Sequence, residues 1–295
     1  MKCVVVGGAG AVGGMLAGLL SAAGSEVCVL DLVDPFIAGQ RFLRGDVTAP
    51  DGTARAELGA ADVLVLAVAE AVGVAAVPVL AGVLRADALL VETMSVKTPI
   101  AAAIASTGLS AVGLNPMFAP PLELAGRAVA VVEHRGGPRV AGLLALLAER
   151  GGRLVTVVAA EHDRLTAAAQ VLTHASVLSF GLALAELDVD IDKLSALAPP
   201  PHALMLALLA RIAAGTPEVY WDIQEANPSA GQARTALGNG VRQLSEIAET
   251  GGLTEFACVQ GRLRNTLGGE LAGYRKLCAE VFGGLTSREE RVDHD

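Results

Sequence analysis

The residues best suited to chemistry begin with a glycine-rich turn near the N-terminus. The pattern Gly-x-Gly-x-x-Gly comes directly after an apolar run typical of a strand and directly before a helical pattern. Its residues are Gly8, Ala9, Gly10, Ala11, Val12 and Gly13. In such a turn the first glycine permits a tight bend, the second lets the backbone approach a pyrophosphate, and the third lets the helix pack against the sheet. Because the helix N-terminus then faces an anion, the motif predicts a dinucleotide site.

An acidic residue further along indicates which dinucleotide binds. Asp31 ends the second predicted strand, 18 residues beyond Gly13, close to the usual spacing of about 20 residues. A carboxylate there accepts hydrogen bonds from the adenosine ribose and repels a 2′-phosphate. Since no arginine immediately follows Asp31, the sequence predicts NAD rather than NADP.

Three later segments place polar residues next to apolar runs. Two of them follow predicted strands, and the third opens a long predicted helix. They are Glu92-Thr93-Met94-Ser95-Val96-Lys97, Gly113-Leu114-Asn115-Pro116-Met117-Phe118-Ala119-Pro120 and Glu161-His162-Asp163-Arg164. At α-helical spacing Asp163, Gln170 and His174 fall on one face of the long helix, so we expect that face to line a cleft.

Together with the glycine-rich turn, these segments resemble the S-V-K, H-P-M-F-G-P and E-H-D motifs of the prephenate and arogenate dehydrogenases. The resemblance covers roughly residues 1–285, with the motifs in order and at similar spacings. It implies a Rossmann-type domain joined to a helical dimerisation domain. It also implies an oxidative decarboxylation, in which hydride leaves ring carbon 4 for the nicotinamide and the ring carboxylate departs as carbon dioxide.

The resemblance also implies roles for individual residues. Arg211 aligns with the family's carboxylate-binding arginine, a charge-assisted contact worth about 1.5–3 kcal/mol. Ser95 and Lys97 resemble groups near the nicotinamide and substrate, and His174 resembles a substrate-contacting histidine. For Ser95 the alternative is a helix N-cap. The candidate catalytic residues are Asn115, Ser95, Lys97 and His174, and the candidate substrate-binding residues are Arg211 and Gln170.

Asn115 departs from the family pattern, which has a catalytic histidine there. That histidine accepts a hydrogen bond from the substrate's 4-hydroxyl and acts as its base, a role worth about 10²–10⁴-fold. Asparagine accepts no proton near neutral pH. A 4-amino group needs no strong base, because a neutral amine donates its lone pair more strongly than a hydroxyl, and the carboxamide oxygen can accept its N–H. The sequence therefore favours the 4-amino-4-deoxyprephenate dehydrogenases, relatives that act in the biosynthesis of p-aminophenylalanine-derived metabolites.

Two other functions remain compatible with the sequence. One is an ordinary prephenate or arogenate dehydrogenase in which water or another group is the base. The other is a non-catalytic NAD-binding regulator that kept the fold and lost the base. A different two-domain dehydrogenase, acting on β-hydroxy acids, would share the glycine-rich turn but not the later segments.

Strands that alternate with helices must position these residues. Apolar strand patterns occur at 2–6, 26–31, 63–69, 88–92, 110–114, 127–132 and 153–158. Their alternation with helical segments predicts an α/β protein with a parallel, doubly wound sheet. From Glu161 onward strand patterns stop and apolar helical patterns continue to about 283. We expect a dinucleotide-binding Rossmann domain over 1–158 and an all-helical substrate and dimerisation domain over 159–295.

Composition limits the partners. The net charge of -9 provides no basic surface for nucleic acid or an anionic membrane. The apolar stretch Val63–Leu84 is more typical of a buried strand and helix than of a membrane span. The four cysteines show no metal-ligand spacing, so we expect a cytoplasmic protein with reduced thiols and no metal. The apolar excess of the helical half, together with the family resemblance, predicts a homodimer. The glycine-rich turn and Asp31 predict NAD as the cofactor, and the resemblance implies a small anionic substrate.

Overall fold

The computed structural model describes residues 1–34, 41–118 and 122–285, so Ala119 and Pro120 of the second motif lie outside the described residues. The chain divides into two compact units, Met1–Thr166 and Ala167–Asp295. The predicted boundary at 158/159 coincides with the start of a long helix. The units divide later, because the first turns of that helix pack on elements of the first unit.

In the first unit, the described residues form one eight-stranded sheet in the order β3-β2-β1-β4-β5-β6-β7-β8. The strands are β1 (Lys2–Val6), β2 (Glu26–Asp31), β3 (Arg41–Arg44), β4 (Val63–Leu66), β5 (Leu89–Glu92), β6 (Ser110–Pro116), β7 (Ala128–Arg135) and β8 (Arg153–Thr156). From β3 to β6 in this order all neighbouring strands pair in parallel, as predicted, although β3 itself was not predicted. The sheet is mostly parallel, with one exception that the sequence did not predict: β7 runs antiparallel to β6. The described residues between β6 and β7 form no helix, and a parallel crossover normally needs one.

Six helices cover the sheet of the first unit. They are α1 (Ala11–Ala22), α2 (Gly52–Gly59), α3 (Glu70–Ala81), α4 (Thr98–Ala105), α5 (Pro138–Glu149) and α6 (Ala159–Thr166), counted over the described part of that unit. Alternate residues of β1 enter two separate apolar cores, Val4 and Val6 on one face and Cys3 and Val5 on the other. The predicted doubly wound architecture is therefore confirmed. The stretch Val63–Leu84 forms β4 and α3, as expected.

The glycine-rich turn between β1 and α1 contains a detail that the motif did not predict. The residue in the left-handed region is Gly7, with φ 78°, so assigning the tight bend to Gly8 was wrong. A Cβ at Gly8 would meet the Val29 side chain at 2.7 Å. The predicted role of Gly13 fits the geometry, because a Cβ there would lie 2.2 Å from the Gly7 carbonyl oxygen. Only glycine lets α1 approach β1 this closely.

The described residues of the second unit are helical, which confirms the predicted all-helical half. A π-helical segment (Ala167–Val171) leads from α6 into α7 (Leu172–Glu186). There follow α8 (Ile191–Ala196), α9 (Pro200–Ala213), α10 (Pro217–Glu225), α11 (Ala230–Thr250), α12 (Leu253–Leu267), the 3₁₀ segment Gly268–Glu270 and α13 (Leu271–Gly283). The regular α-helical spacing that we assumed from Asp163 to His174 is interrupted by this π segment, which contains Gln170.

The second unit has a small core of its own and a large exposed apolar surface. Its fully buried apolar cluster consists of Ala167, Val171 and Ala230. Exposed side chains include Leu182, Trp221, Leu253 and Leu263. In the described part of the chain, the helix Ala159–Glu186 is long and apolar enough to cross a membrane. Of the most apolar stretch of this helix, 22% is buried within the protein. The helices Pro200–Ala213 and Pro217–Glu225 would together also be long and apolar enough, but only as a single span with a bend between them.

The close approach of α1 to β1 gives a stability prediction. Replacing Gly13 with Ala should lower the free energy of unfolding by about 1–3 kcal/mol, because the new methyl group must push the helix from the Gly7 backbone. The matched control is Gly18→Ala in the same helix, where an added Cβ meets nothing within 4 Å. That variant should be neutral or up to about 1 kcal/mol more stable. Chemical denaturation at fixed protein concentration measures the free energy of unfolding of both variants. Equal changes in the two variants would contradict the view that close packing at Gly13 causes the loss.

Candidate active site

The first part of the site is a cradle of backbone amides at the end of β1. The N-cap of α1 is Gly10, which provides no side-chain cap, so the first-turn amides of the helix have no internal side-chain acceptor. The Ala9 amide donates to Asp31 Oδ2 at 3.0 Å, and the Val33 amide donates to Asp31 Oδ1 at 3.3 Å. Asp31 is thereby fixed beside the turn, in the position that the sequence predicted.

A pocket of about 320 Å³ opens beside this cradle. It is lined by Gly7 and Gly10, by Asp31 at the end of β2, and by Asp46 after β3. Hydrogen bonds from Thr48 to Asp46, at 2.8 Å from the amide and 2.7 Å from the hydroxyl, hold the pKa of this carboxyl below its usual value. Two carboxylates next to open helix amides suit a dinucleotide whose ribose hydroxyls are free, and they disfavour a 2′-phosphate.

Asn115 lies near the end of β6 and is 6% exposed. Its Nδ2 is 3.0 Å from His162 Nε2, and His162 Nδ1 is 3.0 Å from Asp163 Oδ1. His162 and Asp163 are both buried in α6. The structure thus joins two of the sequence motifs in one hydrogen-bonded chain, a contact that the sequence reasoning missed.

Asp163 has a second role, because its carboxylate caps α4. It accepts hydrogen bonds from the Lys97 amide at 2.7 Å, the Thr98 amide at 2.9 Å and the Thr98 hydroxyl at 2.5 Å. Burial by itself would raise the pKa of Asp163, but the bonds from His162, Thr98 and the Lys97 amide outweigh it and hold the pKa below its usual value. The N-cap of α4 is Lys97 and not Ser95, so the alternative interpretation of Ser95 as a helix cap was wrong.

Ser95 is instead held by α3. Its amide donates to Glu70 Oε1 at 2.8 Å, and its hydroxyl donates to the same oxygen. Glu70 lies in the first turn of α3, where a carboxylate is favoured by the helix dipole. The loop after β5 is therefore fixed from two sides, by Glu70 at Ser95 and by Asp163 at Lys97.

The Lys97 side chain is fully buried in the interior of the first unit. Its Nζ donates to Glu92 Oε2 at 2.9 Å and to the Leu114 carbonyl at 3.1 Å. The second Glu92 oxygen lies 2.9 Å from His134 Nε2. This placement favours support of the strand end next to Asn115 over direct contact with a ligand, which corrects our expectation for Lys97.

The charges of this interior cluster are mutually dependent. Burial lowers the pKa of Lys97, and the Glu92 carboxylate opposes that shift. Burial would raise the pKa of Glu92, but Lys97, followed by the bond with His134, outweighs it and keeps the pKa below its usual value. A Cβ at position 113 would lie 2.0 Å from Glu92 Oε1, so Gly113 leaves room for the cluster.

The remaining predicted residues lie in the second unit. The ring of His174 meets Tyr220 edge-on at a centroid distance of 5.2 Å, and its Nδ1 is buried with no hydrogen-bond partner among the described residues. Burial, and then the charge of Arg211, lowers the pKa of His174, so its imidazole is neutral near pH 7. Arg211 is exposed in the last turn of α9. Gln170 lies in the π-helical segment and is half-buried.

This fold and these sites define a dinucleotide-binding protein with a helical second unit. Residues 158–257 match the family described as prephenate dehydrogenase, dimerization domain. The chain is 53% identical, over 96% of its length and 97% of the relative's, to 4-amino-4-deoxyprephenate dehydrogenase of Streptomyces pristinaespiralis.

Two crystal structures share the fold. That of prephenate dehydrogenase from Aquifex aeolicus has a TM-score of 0.72 at 16% identity, covering 90% of this chain and 98% of that one. A structure of the Aquifex aeolicus enzyme with hydroxyphenyl propionate and NAD⁺ has a TM-score of 0.70 at 18% identity, covering 91% and 98%. The chain belongs to the prephenate dehydrogenase family, which confirms the resemblance inferred from its motifs.

The buried cluster around Lys97 gives a second stability prediction. Replacing Lys97 with Met should lower the free energy of unfolding by about 3–5 kcal/mol, because the Glu92 carboxylate is left buried without its cation. The double variant Glu92→Gln/Lys97→Met should recover part of this loss, since no charge is then stranded.

The surface ion pair of Lys193 with Asp190 provides the control, and Lys193→Met should change stability little. Denaturation curves of the three variants measure the differences. A double variant no more stable than Lys97→Met alone would show that the charge of Glu92 is not the cause.

Proposed function

We propose that this chain catalyses the NAD-dependent oxidative decarboxylation of 4-amino-4-deoxyprephenate to 4-aminophenylpyruvate. The hydrogen on ring carbon 4 leaves with its electron pair to NAD⁺, the ring carboxylate leaves as carbon dioxide, and the ring becomes aromatic. The observation that carries the proposal is Asn115 at the position of the family's catalytic histidine. The extensive similarity to the Streptomyces pristinaespiralis enzyme supports the same substrate.

The cofactor assignment rests on the fit of the first unit to NAD. When bound, NAD⁺ supplies the hydride acceptor. The residues Gly8, Ala9, Gly10, Ala11, Val12 and Gly13 would hold its pyrophosphate, and Asp31 its adenosine ribose. The Aquifex aeolicus structure contains NAD⁺.

Asn115 would act by accepting a hydrogen bond rather than a proton. A ring amine that donates N–H to the carboxamide oxygen keeps its lone pair available to the ring, and that lone pair expels the hydride. Prephenate has a hydroxyl in the same place, whose weaker lone pair requires a base that Asn115 cannot be. The residue therefore selects for the nitrogen compound through the chemical step.

The central test compares 4-amino-4-deoxyprephenate, prephenate and arogenate as substrates for NAD⁺ reduction. The amino compound should exceed prephenate in kcat/KM by about 10²-fold or more, the usual contribution of one general base. Asn115→His should reverse part of this preference, because it restores a proton acceptor for the hydroxyl. The pH–rate profile with prephenate should then gain an imidazole-like limb only in the variant.

Two outcomes would overturn the assignment. Ordinary rates with prephenate or arogenate and none with the amino compound would make the chain a dehydrogenase of the usual kind, with another group as base. Binding of NAD⁺ without turnover of any of the three would make it a non-catalytic regulator.

The residues to which the family resemblance assigns substrate contacts would hold the anionic substrate. Arg211 would bind a carboxylate, and the neutral imidazole of His174 would hydrogen-bond to the substrate. Gln170 and Ser95 would contribute further polar contacts. Lys97 would act indirectly, through the Leu114 carbonyl that precedes Asn115.

Replacing Arg211 with Ala should raise the substrate KM by roughly one to two orders of magnitude, from a bond worth about 1.5–3 kcal/mol. The affinity for NAD⁺ should be nearly unchanged. Because Arg211 lowers the pKa of His174, the same variant should raise that pKa, which NMR titration of the ring can follow.

The matched variants for this test are Arg211→Lys and Arg242→Ala. Arg211→Lys keeps the charge but loses the planar guanidinium. Its KM should therefore lie between that of the unmodified protein and that of Arg211→Ala. Arg242 is exposed on α11, and its loss should leave KM unchanged. A normal KM in Arg211→Ala would assign Arg211 a purely structural role.

The helical half, over 159–295, would serve as the dimerisation domain. Its internal core is small, and side chains such as Leu253 (84% exposed) and Trp221 (67% exposed) need cover from water. A second copy of the chain supplies that cover in a homodimer. The four cysteines are free, and they would remain reduced in the cytoplasm that we propose as the location of the protein.

A further inference from the structure

We propose that His162 and Asp163 are positioning residues that fix which end of the Asn115 carboxamide meets the substrate. They hold its nitrogen against α6 and leave its oxygen as the atom presented to the ring amine. The inference rests on the proposed function, because the amine is the group that this oxygen would meet.

The positioning begins with the charge on Asp163. This carboxylate accepts hydrogen bonds from the Lys97 amide, the Thr98 amide and the Thr98 hydroxyl. It is buried and has a lowered pKa, so it is ionised at neutral pH and can only accept. The proton between Asp163 Oδ1 and His162 Nδ1 therefore resides on the histidine nitrogen.

The charge on Asp163 sets the tautomer of His162. A neutral imidazole with its proton on Nδ1 has a lone pair on Nε2, which must receive a hydrogen bond when buried. The group 3.0 Å from Nε2 is the Asn115 carboxamide, and only its Nδ2 can donate. With the amide turned round, two acceptors would face each other in the interior of the protein.

Burial makes this chain of bonds rigid. His162 is 1% exposed, Asp163 2% and Asn115 6%, so water cannot readily replace one partner. Asp163 is further held by the cap that it forms on α4. The Thr166 hydroxyl, one turn along α6, donates to the His162 carbonyl at 3.0 Å.

The orientation matters for the chemical step more than for binding. A ring amine can donate to the carboxamide oxygen or accept from its nitrogen, so either orientation of Asn115 can hold it. If Asn115 donated instead, its N–H would occupy the lone pair that must move into the ring as the hydride leaves. Losing the fixed orientation should therefore lower kcat and leave KM nearly unchanged.

Two substitutions at His162 separate positioning from simple packing. His162→Phe keeps a buried ring but removes the acceptor for Asn115, and it should lower kcat with the amino compound by about 10²-fold, as for other misplaced groups. His162→Gln can donate to Asp163 and accept from Asn115, so it should retain most of kcat. A stability control is Leu147→Ala in α5, which removes buried apolar contacts and should leave kcat unchanged.

A spectroscopic measurement tests the tautomer without turnover. In protein labelled with ¹⁵N-histidine, His162 of the unmodified chain should show the Nδ1–H tautomer. Asp163→Asn should permit the Nε2–H tautomer, because the new amide can donate to Nδ1. The same variant should lower kcat while KM changes little.

Different results would contradict the proposed function and the positioning role. Absence of turnover of the amino compound by the unmodified protein would overturn the proposed function. Turnover by the unmodified protein with equal kcat in His162→Phe and His162→Gln would overturn the positioning role alone. An Nε2–H tautomer, or a ring protonated on both nitrogens, in the unmodified protein would overturn it as well.

Discussion

The site depends above all on the carboxylate of Asp163. This single group caps the N-terminus of α4 by accepting from the Lys97 and Thr98 amides, holds α6 against that helix, and sets the position of the proton on His162. A capping interaction of this kind is worth about 1 kcal/mol when exposed. Here the cap matters more for geometry than for stability, because His162 in turn determines how Asn115 is held. Helix capping and the chemistry of the site thus share one residue.

A second buried polar cluster supports the same strand end. Lys97, Glu92 and His134 lie between β5, β6 and β7, and Lys97 binds the carbonyl that precedes Asn115. A buried ion pair of this kind is weak evidence for stability, since desolvation costs roughly what the attraction returns. Its effect is geometric. The pair fixes the backbone at Leu114, and Gly113 exists there because any side chain would overlap Glu92.

The two units differ in how much of their apolar surface is buried. In the first unit the strands are buried on both faces, and two continuous cores consist mainly of Val, Leu and Ala, with Phe42 and Phe118 packed against one of them. In the second unit three small residues form the closed core, while many Leu and Val side chains remain exposed on its helices. A surface of this composition fits the subunit interface that we propose for the helical half, whose residues 158–257 match a family described as a dimerization domain.

The sequence by itself determined the features that depend on local pattern: the β1 turn with Gly13, Asp31 at the end of β2, the doubly wound sheet, and the helical half. Each of these features depends on residues that lie close together in the chain. Only the tertiary structure decided the contacts between distant segments. These contacts are the hydrogen bond between His162 and Asn115, the buried ion pair of Lys97 with Glu92, and the hydrogen bond from Ser95 to Glu70. The π turn before His174 and the antiparallel β7 also lay beyond the sequence, because packing sets them while hydrophobic periodicity does not.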